Sequence, residues 1–474
     1  MVNMKKIFIA VLACMVAAPC LAADEIVSIA RDQKGINLTI YNNNLALIKD
    51  KRGVELPAGK STLAFKEVSA QIRPETALLS GGVSLLEQNF EYDLLTPESL
   101  LNKYVGKEVT VVQRFPLTGE ERSEKAQVLS AGENGVVLKI GNRIETGVKG
   151  NLVYPDVPAD LRDRPTLTME IANETAGAKD LELSYLSSGL SWRADYVAEL
   201  NAEDSSLDLS GWVTLINESG ASYPNAQLQL VAGEVHVEEM VRKKSAPMVA
   251  KMEMMADAAP AMAEEKMFEY HLYTLERPTT IAENQQKQVA LLQAHGVQCR
   301  KEFLVRGDEE FYRSQIVESS KLPVAVEVEI VNDKPTGLGL PLPAGIMRVY
   351  KKDSHGLLQF VGEDSIDHTP EKETLQLHLG NAFDITAEKK QTSFKKAGGF
   401  GNFNAQYESS YELTVKNAKK EAIQVKVLEP LFGDWEIHDE SAPHKKESAS
   451  AASWLLTVPA QGKTSLTYTA RVRW

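Results

Sequence analysis

Glu363, Asp364, Asp367 and His368 stand in one short stretch closed by Pro370, with Glu371 and Glu373 just beyond. Carboxylates and an imidazole this close could hold a divalent cation, because hard cations take several oxygens and transition ions accept a His nitrogen. Asp364, Asp367 and His368 are the candidate ligands. The spacing matches no calcium-loop pattern, and Asp and Ser also populate turns by bonding their own backbone, so an ordinary polar turn is the competing reading. A second metal reading comes from Met252, Met254 and Met255, three thioethers of the kind that suits Cu(I). Methionine in an Ala-rich segment is equally a flexible filler or a docking surface.

Other constellations point away from catalysis. Gly189-Leu190-Ser191-Trp192-Arg193 lacks the closing glycine of a nucleophile elbow, which leaves Ser191 as a strand residue. There is no His-Glu-x-x-His, no Cys-x-x-Cys and no Gly-x-x-x-x-Gly-Lys-Ser/Thr phosphate loop. Gly398-Gly399-Phe400-Gly401 has no strand-to-helix switch after it and reads as a loop. Trp192, Trp212, Trp435 and Trp454 could stack sugars, although tryptophan more often anchors a sandwich core. Cys299 is the one cysteine beyond residue 20 and is expected to be a half-buried strand thiol.

The elements that must position these groups begin with an expected signal peptide over residues 1–23. Lys5 and Lys6 precede an apolar run from Ile7 to Ala18, and small residues lead to a cut after Ala22 or Ala23. The run is about 12 residues, short of the ~18 to 20 that span a bilayer. No later stretch is long and apolar enough for a transmembrane helix, and the mature chain is expected to be soluble or peripheral, in the periplasm or secreted. The formal charge is −13, more negative still without Lys5 and Lys6. Such a surface does not favour nucleic acid. With Cys14 and Cys20 in the signal, no intrachain disulfide can form in the mature chain.

Period-two alternation bounded by Pro and Gly dominates the rest and predicts an all-β, mainly antiparallel fold. Residues 24–90 read as a small N-terminal β module. Thr96-Pro97-Glu98-Ser99 opens a brief helix with Thr96 as its N-cap, and the short strands of 91–152 predict an SH3-like barrel. Pro155, Pro158 and Pro165 punctuate a linker at 153–166. A large β-sandwich region follows over 167–474, interrupted by a Met-rich insertion at 240–267 that carries no β period and reads as disordered. Composition alone makes 282–294 a candidate helix. Trp474 closes an alternating tail, a pattern shared with the last strand of outer-membrane barrels, but the short strands and Pro-rich loops favour a final sandwich strand.

Three stretches together resemble the bacterial proteins grouped as domain of unknown function 4139. They are Ser188-Gly189-Leu190-Ser191-Trp192-Arg193-Ala194-Asp195-Tyr196 with Leu215-Ile216-Asn217-Glu218-Ser219-Gly220, then residues 361–370, then Leu379-Gly380-Asn381-Ala382-Phe383-Asp384-Ile385. The likeness runs over about 167–474, with the Met-rich insertion in the expected place, and the N-terminal sheet is similar to the module that often precedes that domain. The resemblance implies export and β architecture and brings no catalytic residues with it. Many ordinary strands without a catalytic constellation point to a binding or structural module of the cell envelope that recognises a protein or a glycan and needs no cofactor. The alternative is a metal-binding protein or metal-dependent hydrolase built on the 363–373 loop.

Overall fold

A computed structural model describes residues 25–114, 119–132, 135–147, 150–158, 160–233, 235–236, 262–398 and 405–473. The expected signal, most of the Met-rich stretch, Gly399–Gly401 and Trp474 lie outside the described residues. The chain divides into two compact units, one of Met1–Ile36, Leu47–Ser187 and Ser219–Ala221, the other of Asn37–Ala46, Ser188–Glu218 and Ser222–Trp474. The all-β, mainly antiparallel expectation holds. The one α-helix among the described residues is Pro97–Lys103, and no described helix is long and apolar enough to cross a membrane.

In the first unit, strands Ile26–Ser28, Gly59–Lys66, Thr166–Asn173 and Ser84–Glu91 lie side by side in that order. The neighbouring strand Leu45–Leu56 alternates buried and open positions, and the alternation carries Asp50 and Arg52 inward along with Ile48, Val54 and Leu56. A buried guanidinium needs several partners at once. Arg52 has them: Nη2 and Nε donate to Asp50 Oδ2 at 2.7 and 3.1 Å, Nη1 donates to the Ser28 carbonyl at 3.0 Å, and the ring of Phe65 lies 3.9 Å beneath.

A five-stranded antiparallel meander belongs to the same unit, ordered Arg143–Thr146, Gly135–Ile140, Glu121–Gly132, Glu108–Arg114, Asn151–Val153. This corrects the SH3-like barrel, because the two outer strands do not pair and the sheet stays open. Closure needs edges long enough to share a ladder, and these edges have only 4 and 3 residues. The helix Pro97–Lys103 supplies Leu100 and Leu101 to the core of Val109, Val111, Ala126, Val128, Leu138 and Ile140 instead. Its start is as the sequence predicts, with Thr96 Oγ1 accepting from Ser99 N at 3.0 Å.

The second unit is organised by one strand of 22 residues, Gln285–Arg306. Residues 282–294 therefore contain no helix. Gln, Lys and Ala favour helix as isolated residues, but Val289, Ala290, Leu291 and Leu292 are buried, and sheet pairing overrides intrinsic preference. The first half of this strand pairs antiparallel with Ser206–Asn217. The second half pairs with Val324–Val331 and runs parallel to Ile423–Pro430. The sheet reads Leu358–Ile366, Gly345–Lys352, Leu190–Leu200, Ser206–Asn217, Gln285–Arg306, Ile423–Pro430, Ala451–Val458, Lys445–Ser448.

A second sheet, Ser320–Leu322, Ile385–Gly398, Ala405–Asn417, Gly462–Arg473 and Asp434–His438, completes a β-sandwich. Val305, Val425, Val427 and Trp454 from one sheet share a core with Leu413, Val415, Leu466 and Tyr468 from the other. The tail strand Gly462–Arg473 is interior, hydrogen-bonded on both sides, as a final sandwich strand should be. The end of the Met-rich stretch departs from the disordered reading, since Ala263–Met267 forms a hairpin with Tyr270–Thr274.

Candidate functional site

Strand Leu190–Leu200 buries one face and opens the other. Trp192, Ala194, Tyr196 and Ala198 are in the core, so Arg193, Asp195, Val197 and Glu199 share the opposite side. The ladders then decide which distant residues join them. Asp195 lies opposite Trp212 on one neighbour and Ile346 on the other; Arg193 faces Thr214, which faces Gln288; Val197 faces Arg348, which faces Glu363; Glu199 faces Tyr350, which faces Phe360. Directly paired residues project to the same face. Five strands thus present one polar and aromatic surface.

Asp195 is its centre. Thr214 Oγ1 donates to Asp195 Oδ2 at 2.6 Å, Arg348 Nη1 to Oδ1 at 2.9 Å, and Arg193 Nε to Oδ2 at 3.3 Å. Arg348 reaches on to Glu363 through Nε at 3.1 Å, and Gln288 Nε2 donates to Thr214 Oγ1 at 3.2 Å. Lys352 pairs with Glu199 at 2.5 Å. Burial opposes ionisation of Asp195, but the Thr214 hydroxyl and the Arg348 guanidinium outweigh it and hold the carboxyl below its ordinary value. The face therefore carries charges already matched, in fixed positions. Trp212 is half-buried there, Phe360 is exposed, and the rings of Tyr350 and Phe360 meet edge-on with centroids 5.6 Å apart.

A depressed pKa has a sign. The folded protein holds Asp195 ionised more tightly than the unfolded chain does, so this stabilisation is complete above the ordinary carboxylate pKa and is lost as pH falls through the folded value. Asp195→Asn is expected to cost about 1–3 kcal/mol near pH 7. Urea midpoints of the two proteins should converge as the pH drops below the carboxylate range.

The residues expected to bind metal are dispersed in their roles. Asp364 Oδ1 accepts from Ser365 N and Oδ2 from His378 N, both at 2.8 Å. His368 Nδ1 accepts from Ala344 N at 3.2 Å, and the Asp367 carbonyl accepts from Thr369 Oγ1 at 2.8 Å. Asp364 and His368 thus point their heteroatoms at backbone amides. Among the described residues no three or more His, Cys, Asp or Glu side chains group so that they could share an ion. Trp192 and Trp454 are core residues, Trp435 Nε1 donates to the Ala449 carbonyl at 2.7 Å, and only Trp212 of the four stands on the open face. Cys299 is half-buried. Burial, with Asp204 nearby, pushes its thiol up to about 11, which leaves it an unreactive strand residue at neutral pH.

The model of the domain of unknown function DUF4139 matches residues 181–474, more than half of the chain. The chain belongs to this family. Every residue of the open face, from Arg193 to Glu363, falls within the matched DUF4139 stretch. No curated protein matches the chain, and a family defined only as a domain of unknown function brings no activity with it, so the site must be read from its own chemistry. The sequence alone did not single out Asp195, Thr214, Gln288 or Arg348. Alternation does place Arg193 and Asp195 together on a polar face, but their partners lie far along the chain and arrive only by strand pairing.

Proposed function

We propose that this protein is an exported, non-catalytic envelope module that binds a glycan rich in neutral hydroxyl groups on the open face centred on Asp195. One observation carries the reading: half-buried Trp212 lies directly beside Asp195 in a net of donors and acceptors held by their neighbours. Sugar rings offer apolar C–H faces to aromatic rings and hydroxyls to pre-positioned polar groups, and binding sites pair an apolar platform with a few fixed polar atoms. The charges of the face are matched as Arg348 with Asp195 and Glu363 and Lys352 with Glu199, which suits a neutral ligand better than an acidic one. By the ordinary spacings of a sheet, Trp212 and Tyr350 are roughly 16 Å apart, a span for an oligosaccharide. The reading of residues 1–23 as a secretion signal supports the envelope address.

The test is calorimetric titration of the purified mature protein with neutral oligosaccharides and soluble peptidoglycan fragments. Trp212→Ala and Tyr350→Ala are each expected to weaken binding at least about tenfold, equivalent to about 1.4 kcal/mol, with each variant still folded at the temperature of the titration. Absence of binding to any sugar, with in-cell crosslinking through this face to an envelope protein, would replace the glycan by a protein partner.

A further inference from the structure

The C-terminal sandwich holds a second polar constellation, which the open face does not use. Lys389 comes from strand Ile385–Gly398 of one sheet and Glu429 from strand Ile423–Pro430 of the other. Their side chains are 0% exposed, and Lys389 Nζ lies 2.7 Å from Glu429 Oε2. Four rings enclose the nitrogen, with Phe311, Tyr411, Tyr312 and Tyr468 centroids at 4.2, 4.4, 5.0 and 5.7 Å. Tyr312 Oη donates to Glu429 Oε2 at 2.7 Å and meets Tyr468 Oη at 2.8 Å. Glu429 Oε1, also buried, has no hydrogen-bond partner among the described residues. Gly307 closes the chamber, since a Cβ there would occupy the space of the Glu429 carboxylate.

We propose that Lys389 and Glu429 are joined by an amide bond that the folded chain forms by itself. The Nζ lone pair adds to Glu429 Cδ, a C–Nζ bond forms and one C–O bond of the carboxyl breaks. The ammonium gives up two of its three protons, and the departing oxygen leaves with them as water. Charge cancels, nothing is oxidised or reduced, and no co-reactant is needed.

The surroundings favour each part of this step. Removal from water is costly for a charged amine, and burial lowers the pKa of Lys389 toward the neutral, nucleophilic form. Tyr312, kept protonated by its own burial, donates to the carboxyl oxygen on which negative charge develops as nitrogen adds. The strands hold the two groups in contact, which replaces a bimolecular encounter with an intramolecular one, and the rings keep out the water that would reverse it. The product also removes the two features a dry core tolerates worst, an ion pair and an unpartnered carboxylate oxygen. A link from one sheet to the other takes the place of a disulfide, for which Cys299 finds no second cysteine beyond residue 20.

The experiment is tryptic digestion and tandem mass spectrometry of the full exported protein, unfolded before digestion. An amide at Lys389 blocks cleavage there, so the expected product is a branched species joining residues 373–390 to residues 427–445, about 18 Da below the sum of the two for the lost water. The intact chain should be lighter by the same amount, and Lys389→Met should restore its full calculated mass. Recovery of residues 373–389 as a free peptide, with the intact wild-type chain at full mass, would overturn the proposal. Because the wild-type protein is itself the reading, a variant that fails to fold does not blunt the test.

Discussion

Lys389→Met is expected to lower the unfolding free energy of the C-terminal sandwich by about 3–5 kcal/mol, the cost of leaving one member of a buried pair without the other. Glu429 would then sit in a chamber lined by Phe311, Tyr312, Tyr411 and Tyr468 with the Tyr312 hydroxyl as its remaining donor. Water cannot repair this, because both side chains are fully buried. Lys389→Met combined with Glu429→Met removes the orphaned carboxylate and should recover part of the loss, but not the constraint that a bond between the sheets places on the unfolded chain. Urea denaturation of the wild type, both single variants and the double variant measures the coupling directly. A loss below about 1 kcal/mol for Lys389→Met, within the ordinary range for an exposed ion pair, would remove Lys389 and Glu429 from any structural account of this sandwich.

The second large effect is expected at Gly345. It pairs with Ala194 in the parallel ladder between Gly345–Lys352 and Leu190–Leu200. A Cβ there would strike the Ala194 carbonyl oxygen and lie 2.8 Å from its carbon. The obstacle is backbone, so no rotamer change relieves it and the strands must part. Gly345→Ala is expected to cost about 2–3 kcal/mol, as added volume that forces a backbone shift does. It should also weaken the proposed glycan binding, because Arg348 stands three residues further along the same strand and reaches Asp195 across that ladder. Melting and calorimetric titration of one preparation read both effects. Unchanged stability with unchanged binding would show that the two strands can separate here without disturbing the face.

Local patterns in the sequence carried the element types well, because alternation, turn residues and caps act over a few neighbours. Thr96 as a cap, the alternating tail that ends in Gly462–Arg473 and Cys299 as a half-buried strand thiol could all be read from their own surroundings. Composition misled where neighbours far along the chain decide the outcome. Residues 282–294 look helical alone, yet from Gln285 onward they are strand because Ser206–Asn217 pairs with them. The barrel anticipated for 91–152 stays open because its edge strands are too short to meet, a matter of length and not of hydrophobic pattern.

For the candidate sites the division follows the same physics. The 363–373 cluster was conspicuous because its members are adjacent in sequence, yet Asp364 and His368 are taken up by backbone amides. Arg193 and Asp195 stood out only as part of the stretch that resembles the family, and Thr214, Gln288 and Arg348 join them only through register. Lys389 and Glu429 are 40 residues apart, each an unremarked charge in an alternating strand, and nothing local marks either as buried. The sequence by itself determined an all-β chain of the DUF4139 family. Strand pairing and the packing of one sheet on another, which bring distant residues within bonding distance, decided where its charges meet.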